Sequence, residues 1–414
     1  MVSSMSKFKK IGEININFKS LALTSIFVYI VAALTFETAD ILNITFLSSI
    51  ALYLCLGCCL LYCIYTRTIR TNFIIWGLII FGIVISLATT NTPAKEEASS
   101  ILYRYWTSFI LVFMMNNVVS THSDITVLIY AFIIGGMGLS VAIISYNGID
   151  IILSGGDRMS NGTFGNVNAI GTHCGRAILL AIYELITRMK QRCKGRKIFL
   201  ISAIVICFLV MMFTGSRKAL LSIVFSLIVF TLVYSNDKNF ILRVLSILFV
   251  FSVLIFIIST VPAFNAMKER MLGLLDVLGD SSNASVAGDA KRIYFLEKGI
   301  ETFLESPVFG KGLCYSIYLF DMYSHNNYVE LLMNTGIIGF VSFYWMYIYL
   351  IFKNSNVKHN NIALYSLIWM LMAKMLFDEI GVVDHYDRMT FVVLIFLALC
   401  LKVGLTHKDN KFDL

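Results

Sequence analysis

The chain has 414 residues, 58% hydrophobic and 14% charged, with three prolines and a net charge of +8, and its mean hydropathy is +0.80. A soluble domain runs nearer half apolar and a quarter charged, so these figures exclude disordered, collagenous, disulfide-scaffold and nucleic-acid-binding classes; the basic excess sits in short tracts between apolar runs and concerns topology, not partners. The apolar stock fills about a dozen segments of the roughly 20 residues that a bilayer core demands, and the predicted fold class is all-α, a polytopic integral membrane protein.

In chain order, the opening MVSSMSKFKKIGEININFKS carries four lysines before the first apolar run. No small-residue cleavage site follows that run, so the segment reads as an uncleaved cytoplasmic tail. Uncharged stretches predict membrane spans near 20–36, 44–66, 72–90, 105–119, 125–146, 166–187, 198–214, 218–235, 241–261, 326–352, 361–377 and 389–405. With the N-terminus inside, the cytoplasmic junctions hold Arg67, Arg70, the run Arg188–Lys197, Lys238, Lys353 and Lys358, which meets the positive-inside rule and leaves both termini in the cytoplasm. The division that follows is 1–261 for the first nine spans, 262–325 for a large extracytoplasmic loop and 326–414 for the last three.

Of the nine cysteines, Cys55, Cys58, Cys59, Cys63, Cys174, Cys207 and Cys400 fall inside apolar runs, Cys193 lies in a basic loop, and Cys314 is alone on the far side. No structural disulfide is expected. The cluster CLGCCLLYC has no His, Asp or Glu nearby, so it reads as small apolar packing and not as a metal site.

Basic residues on the outer junctions run against the prevailing bias and need a reason of their own. Those junctions are 91–104, 147–165, 214–217 and 262–325. The last contains DAKRIYFLEKGIETFLESP, where Ile293, Leu296, Ile300, Phe303 and Leu304 recur at helical spacing; Asp289 is the expected N-cap, and Pro307 with the glycines of FGKG ends the element. A folded helical cap is implied. Arg217 and Lys218 open the eighth predicted span with Ser216 as cap, and each cation there opposes the helix dipole by ~0.3–1 kcal/mol, which argues for an anion nearby. Interfacial snorkelling is the alternative, chiefly for Lys218. Arg176 falls inside the sixth span, three residues after His173 and on the same face; charge there faces a cavity or a partner. His325 precedes the tenth span, where the dipole favours a neutral imidazole able to accept a proton.

The phrases TGSRKALL, the Arg292 helix followed by SPVFGKG, SHNNYVELLMNTGIIGF and, upstream, DRMSNGTFGNVNAIG resemble the O-antigen ligase and O-antigen polymerase superfamily of bacterial envelope glycosyltransferases. The resemblance covers about 155–340. It implies a GT-C-like membrane fold with about 12 helices in the bacterial plasma (inner) membrane, and glycosyl transfer on the outer face from a glycan linked through diphosphate to a polyprenol such as undecaprenol. On the family's motifs, Arg217 and Arg292 would hold the diphosphate and His325 would be catalytic. Arg158, Asn166, Asn168, Arg176, Lys218, Asn326 and Tyr328 would complete the substrate site. Donor and acceptor glycans and membrane lipids are the implied partners, with a chain-length regulator and a flippase beside them.

Departure of a diphosphate develops negative charge that must be stabilised. The outer segments offer no Asp-x-Asp pair, so fixed guanidiniums would substitute for a metal and no cofactor is expected. One base, His325, with Asp321 and Glu330 in reserve and no covalent nucleophile, predicts inversion. The short connection from Gly312 to His325 is more like polymerases than ligases, so a lipopolysaccharide or capsule polymerase is favoured over transfer to lipid A core. A secondary transporter or lipid-linked sugar flippase is the rival, and it would place coupling charges near the bilayer midplane.

Overall fold

The computed structural model describes residues 17–37, 44–153, 166–188, 193–234, 240–277 and 284–406. The N-terminal tail 1–16, the loop with Arg158, residues 189–192 of the basic run and the tail 407–414 lie outside the described residues. The described chain is helical, with no strand: α1 Phe18–Ala32, which a π-helical turn extends to Glu37, α2 Phe46–Thr66, α3 Phe73–Ala88, α4 Lys95–Val118, α5 His122–Asn147, α6 Ile149–Leu153, α7 Val167–Arg188, α8 Lys194–Phe213, α9 Arg217–Tyr234, α10 Phe240–Thr260, α11 Asn265–Val277, α12 Ala284–Glu305, α13 Tyr315–Phe320, α14 Asn327–Asn354, α15 Ile362–Asp378 and α16 Arg388–Thr406.

All twelve predicted spans coincide with helices, but among the described residues nine are long and apolar enough to cross a membrane. The other three fall short for visible reasons. Helix α3 is 16 residues long, α4 carries Arg104 among polar and aromatic neighbours in its middle, and α15 spans 17 residues and carries Lys374 and Asp378. Two boundaries differ from expectation. The junction 91–104 is helical from Lys95, because its charges fit an amphipathic first turn. Asp289 is not a cap: α12 begins at Ala284, and the small residues upstream of Asp289 continue the helix that the apolar spacing marks only later.

Contacts sort the helix ends into two layers. In one, Lys19 pairs with Asp124 at 2.7 Å, Asn116 Nδ2 donates to the carbonyl of Arg70 at 2.8 Å, and Arg188 donates to Thr126 at 3.1 Å. In the other, Arg388 pairs with Glu37 at 3.4 Å, Leu313 N–H donates to the carbonyl of Ala88 at 3.2 Å, and Lys218 Nζ donates to the carbonyl of Asp378 at 3.1 Å. Arg217, Arg292 and His325 all belong to the second layer. Beneath it, Lys374 Nζ binds Asp378 at 2.7 Å and Ser222 Oγ at 3.1 Å, so the charge inside α15 is paired as its surroundings demand.

Helix α14 is broken at Gly336, whose φ of 63° and ψ of −164° are not helical. The backbone groups released there are taken by the segment after α12. Ile337 N–H donates to the carbonyl of Pro307 at 2.9 Å, Lys311 N–H to that of Met333 at 2.9 Å and Gly312 N–H to that of Asn334 at 3.0 Å. Without water, exposed backbone groups must be satisfied by protein, which explains why SPVFGKG and NTGIIG go together. A side chain at Gly336 meets this clip directly, because its Cβ would stand 2.3 Å from the carbonyl oxygen of Val308. Gly336→Ala should therefore destabilise the protein by about 1–3 kcal/mol or more, read as a fall in the thermal midpoint of the detergent-purified chain; an unchanged midpoint would remove the clip from this role.

Candidate active site

The turn before α14 is built around Glu330. Its buried carboxylate accepts from Ser324 N–H at 2.8 Å and Asn334 Nδ2 at 3.2 Å and from the hydroxyl of Ser316 in α13. Asn326 caps α14 through Val329 N–H at 3.1 Å, and His325 takes a left-handed φ of 62°. Helix α12 approaches α14 at Gly299, where a Cβ would lie 2.3 Å from Val329 Cγ1. That close approach brings Phe295, stacked at 6.5 Å and 11° to the imidazole, to one side of His325. The ring of Tyr323 stands at 4.3 Å.

Three cations act on His325: Arg292, Lys291 and Lys218. Burial first, and then their charge, pushes the imidazole down to about 4, so the ring is neutral near pH 7. Lys291 also stands 5.4 Å over the Phe295 ring. Arg292 also acts through its charge on Lys218 and on Tyr323, so α12 and α9 contribute cations to one patch at the α14 turn. Ser216 Oγ accepts from Ala219 N–H at 3.4 Å, the cap expected for α9. Lys218 acts on His325 through its charge, and the buried Arg217 directs Nη1 to the carbonyl of Arg270 in α11 at 2.8 Å.

Asn166 Oδ1 accepts from Asn168 N–H at 3.0 Å, and its Nδ2 donates to Tyr323 OH at 3.1 Å, so it both opens α7 and holds the ring beside His325. Asn168 enters through its backbone. Asn326 is occupied as a cap, and Tyr328 OH donates to the carbonyl of Leu376 at 2.8 Å with its ring stacked on Tyr344 at 5.1 Å; both hold the frame. Of the reserve bases, Glu330 is consumed by the turn and Asp321 ends α13. Arg176 lies deeper and lines a cavity of about 320 Å³ that also meets Asn166, Tyr323, Asp384 and Arg388.

Asp384 was not anticipated. It lies in GVVDHYDR between α15 and α16, a segment with an evident signal: the run Asp384, His385, Tyr386, Asp387 and Arg388 on the same end as the other candidates. Asn327 fixes this segment. Its N–H donates to the carbonyl of Glu379 at 2.9 Å, and its Oδ1 accepts from Asp384 N–H at 2.9 Å and His385 N–H at 3.0 Å. Burial, reinforced by Asp387 and Glu379 and opposed by Lys218, pushes the Asp384 carboxyl up to about 7. Among the described residues no three His, Cys, Asp or Glu side chains cluster as metal ligands.

Residues 202–344 match the family described as O-Antigen ligase. That stretch runs from α8 into α14 and includes Arg217, Arg292 and His325, so the likeness to the O-antigen polymerase and ligase superfamily stands. No curated protein matches the chain.

Replacing Glu330 by Ala would leave the Ser324 amide and the Ser316 and Asn334 side chains without their buried acceptor. The expected loss is about 1–3 kcal/mol for each stranded donor at most, seen as a lowered thermal midpoint, with Glu330→Gln falling between the two. Equal midpoints for all three proteins would contradict the anchoring role.

Proposed function

Taking as premise that residues 202–344 are an O-antigen ligase family segment, we propose that the protein is a membrane glycosyltransferase that joins polyprenyl-diphosphate-linked repeat units into a polysaccharide. It acts on the extracytoplasmic face, without a metal and with inversion. The observation that carries the proposal is one neutral imidazole among cations from separate helices: His325 beside Arg292, Lys291 and Lys218. In the proposed step an acceptor hydroxyl attacks the anomeric carbon, its proton passes to His325, and the bond from that carbon to the diphosphate oxygen breaks. Arg292, Lys218 and Arg217 hold the polyprenyl diphosphate that leaves. Twelve passes with cytoplasmic termini put all of these groups on the outer side, in agreement with the basic opposite layer.

Transfer to lipid A core would use the same bond changes. The direct connection from α12 through the clip and α13 to His325 favours the polymerase, because it leaves no insert to receive a second kind of acceptor. A transporter would draw ion ligands from a broken helix; at Gly336 the released groups are bound by residues 307–312.

Purified protein should lengthen a synthetic polyprenyl diphosphate glycan without ATP, metal or an ion gradient. His325→Ala and Arg217→Ala should abolish transfer while the protein still inserts, and Arg217→Lys should lose most of it if the contact is bidentate. Full activity of Arg217→Lys would count against a guanidinium clamp. Deleting the gene separates the two transfers: a surface glycan stopped at one repeat on lipid A core marks a polymerase, and lipid-linked polymer with nothing attached marks a ligase.

Donor binding should also change the base. Neighbouring cations disfavour imidazolium, so a bound diphosphate that neutralises Arg292 and Lys218 raises the His325 value from about 4. Activity falls as pH drops through the pKa of the base, and the acid limb of kcat should therefore lie at higher pH than that of kcat/KM. Coincident limbs would separate the cations from the diphosphate.

A further inference from the structure

The cavity beside Tyr323 holds a buried cation that the transfer step does not use. Asn166, Ala169, Thr172, His173 and Arg176 line it from one face of α7, at the three- and four-residue spacing of neighbours on a helix. Arg176 is 6% exposed. Its guanidinium has Nη1 3.4 Å from His173 Nδ1 and lies 5.8 Å from the centre of the Phe132 ring. Asp378, Asp387 and Asp384 act on it through their field, yet Asp378 is taken by Lys374 at 2.7 Å, and no carboxylate among the described residues forms an ion pair with Arg176. Two neighbouring cations differ: the buried Lys374 has Asp378 at 2.7 Å, and Arg388 on the cavity wall has Glu37 at 3.4 Å.

We infer that this cavity binds a sugar residue carrying a carboxylate, with Arg176 as the residue that selects it. A guanidinium offers five N–H donors in a fork that fits a carboxylate, and a buried cation without an anion is costly to hold inside a membrane. Asp384 and Asp387 share the walls and accept from hydroxyls, as Tyr323 OH and Asn166 can. Val382 and Val383 add apolar surface for the face of a sugar ring. The volume of about 320 Å³ is at the small end of ligand sites, and suits one sugar unit better than a chain. Tyr323 is common to this cavity and to the surroundings of His325, so a sugar held there adjoins the proposed base. The inference deepens the transfer reading and rests on it for the ligand being part of a glycan.

The test is saturation-transfer NMR on the full chain in detergent, with sodium D-glucuronate and D-glucose as probes. Saturation should reach glucuronate and not glucose, and it should be lost in Arg176→Gln. Ala169→Phe, which fills the cavity and keeps the guanidinium, should lose it too, and it serves as the reading if the first variant fails to fold. Equal saturation of glucose, a retained glucuronate signal in Ala169→Phe, or tighter binding of inorganic phosphate than of glucuronate overturns the assignment. The two readings fail separately. A protein that lengthens a lipid-linked glycan but never binds glucuronate loses only the acidic-sugar assignment, and one that binds glucuronate through Arg176 without transferring glycan loses only the transfer.

Discussion

The break in α14 and the turn segment that fills it hold the functional layer together. A helix interrupted inside a bilayer has backbone donors and acceptors with no water to bind, and here residues 307–312 answer them one by one. The same segment ends α12 and leads into α13, so satisfying the break also fixes where α12 lies against α14. At its far side Leu313 N–H reaches the carbonyl of Ala88, which ties the clip to the end of α3. Phe295 then stands against the His325 ring and Arg292 acts on it through its charge.

Electrostatics on this layer divide into two neighbouring environments. Around His325 the cations Arg292, Lys291 and Lys218 act on the imidazole, which burial and their charge keep neutral, an arrangement ready for an anion. Around Arg176 the walls mix guanidinium, carboxylate, amide and phenol, an arrangement ready for hydroxyls and a single charge. Tyr323, held by Asn166 at 3.1 Å, is the wall between them. Asn327 performs the matching task for the segment after α15, with its amide and side chain binding the Glu379, Asp384 and His385 backbone. An asparagine next to the cap of α14 thus brings a third stretch of chain to the same place.

Hydropathy marked the helices because burial in lipid leaves a signal in every residue of a span. All twelve apolar stretches became helices, and the residues singled out by misplaced charge, Arg217, Lys218, Arg292 and His325, came to one layer. The motifs were legible for a physical reason as well: SPVFGKG and NTGIIG are the two sides of one set of backbone hydrogen bonds. Asn326 and Tyr328 stand within a motif, and in the folded chain their polar atoms serve the cap of α14 and the carbonyl of Leu376. A side chain's partner is not written beside it.

Sequence by itself determined the membrane class, the positions of the helices and the end of the bundle on which the unusual cations fall, since each depends on local composition and on the alternation of successive spans. Only the tertiary structure decided that α12 starts before Asp289, that Arg217 reaches the carbonyl of Arg270, and that Asp384 and Arg176 share a cavity. Those outcomes depend on which helices pack together and how they are turned. Rotation about a helix axis changes every side-chain contact while leaving the apolar pattern along the chain almost unaltered.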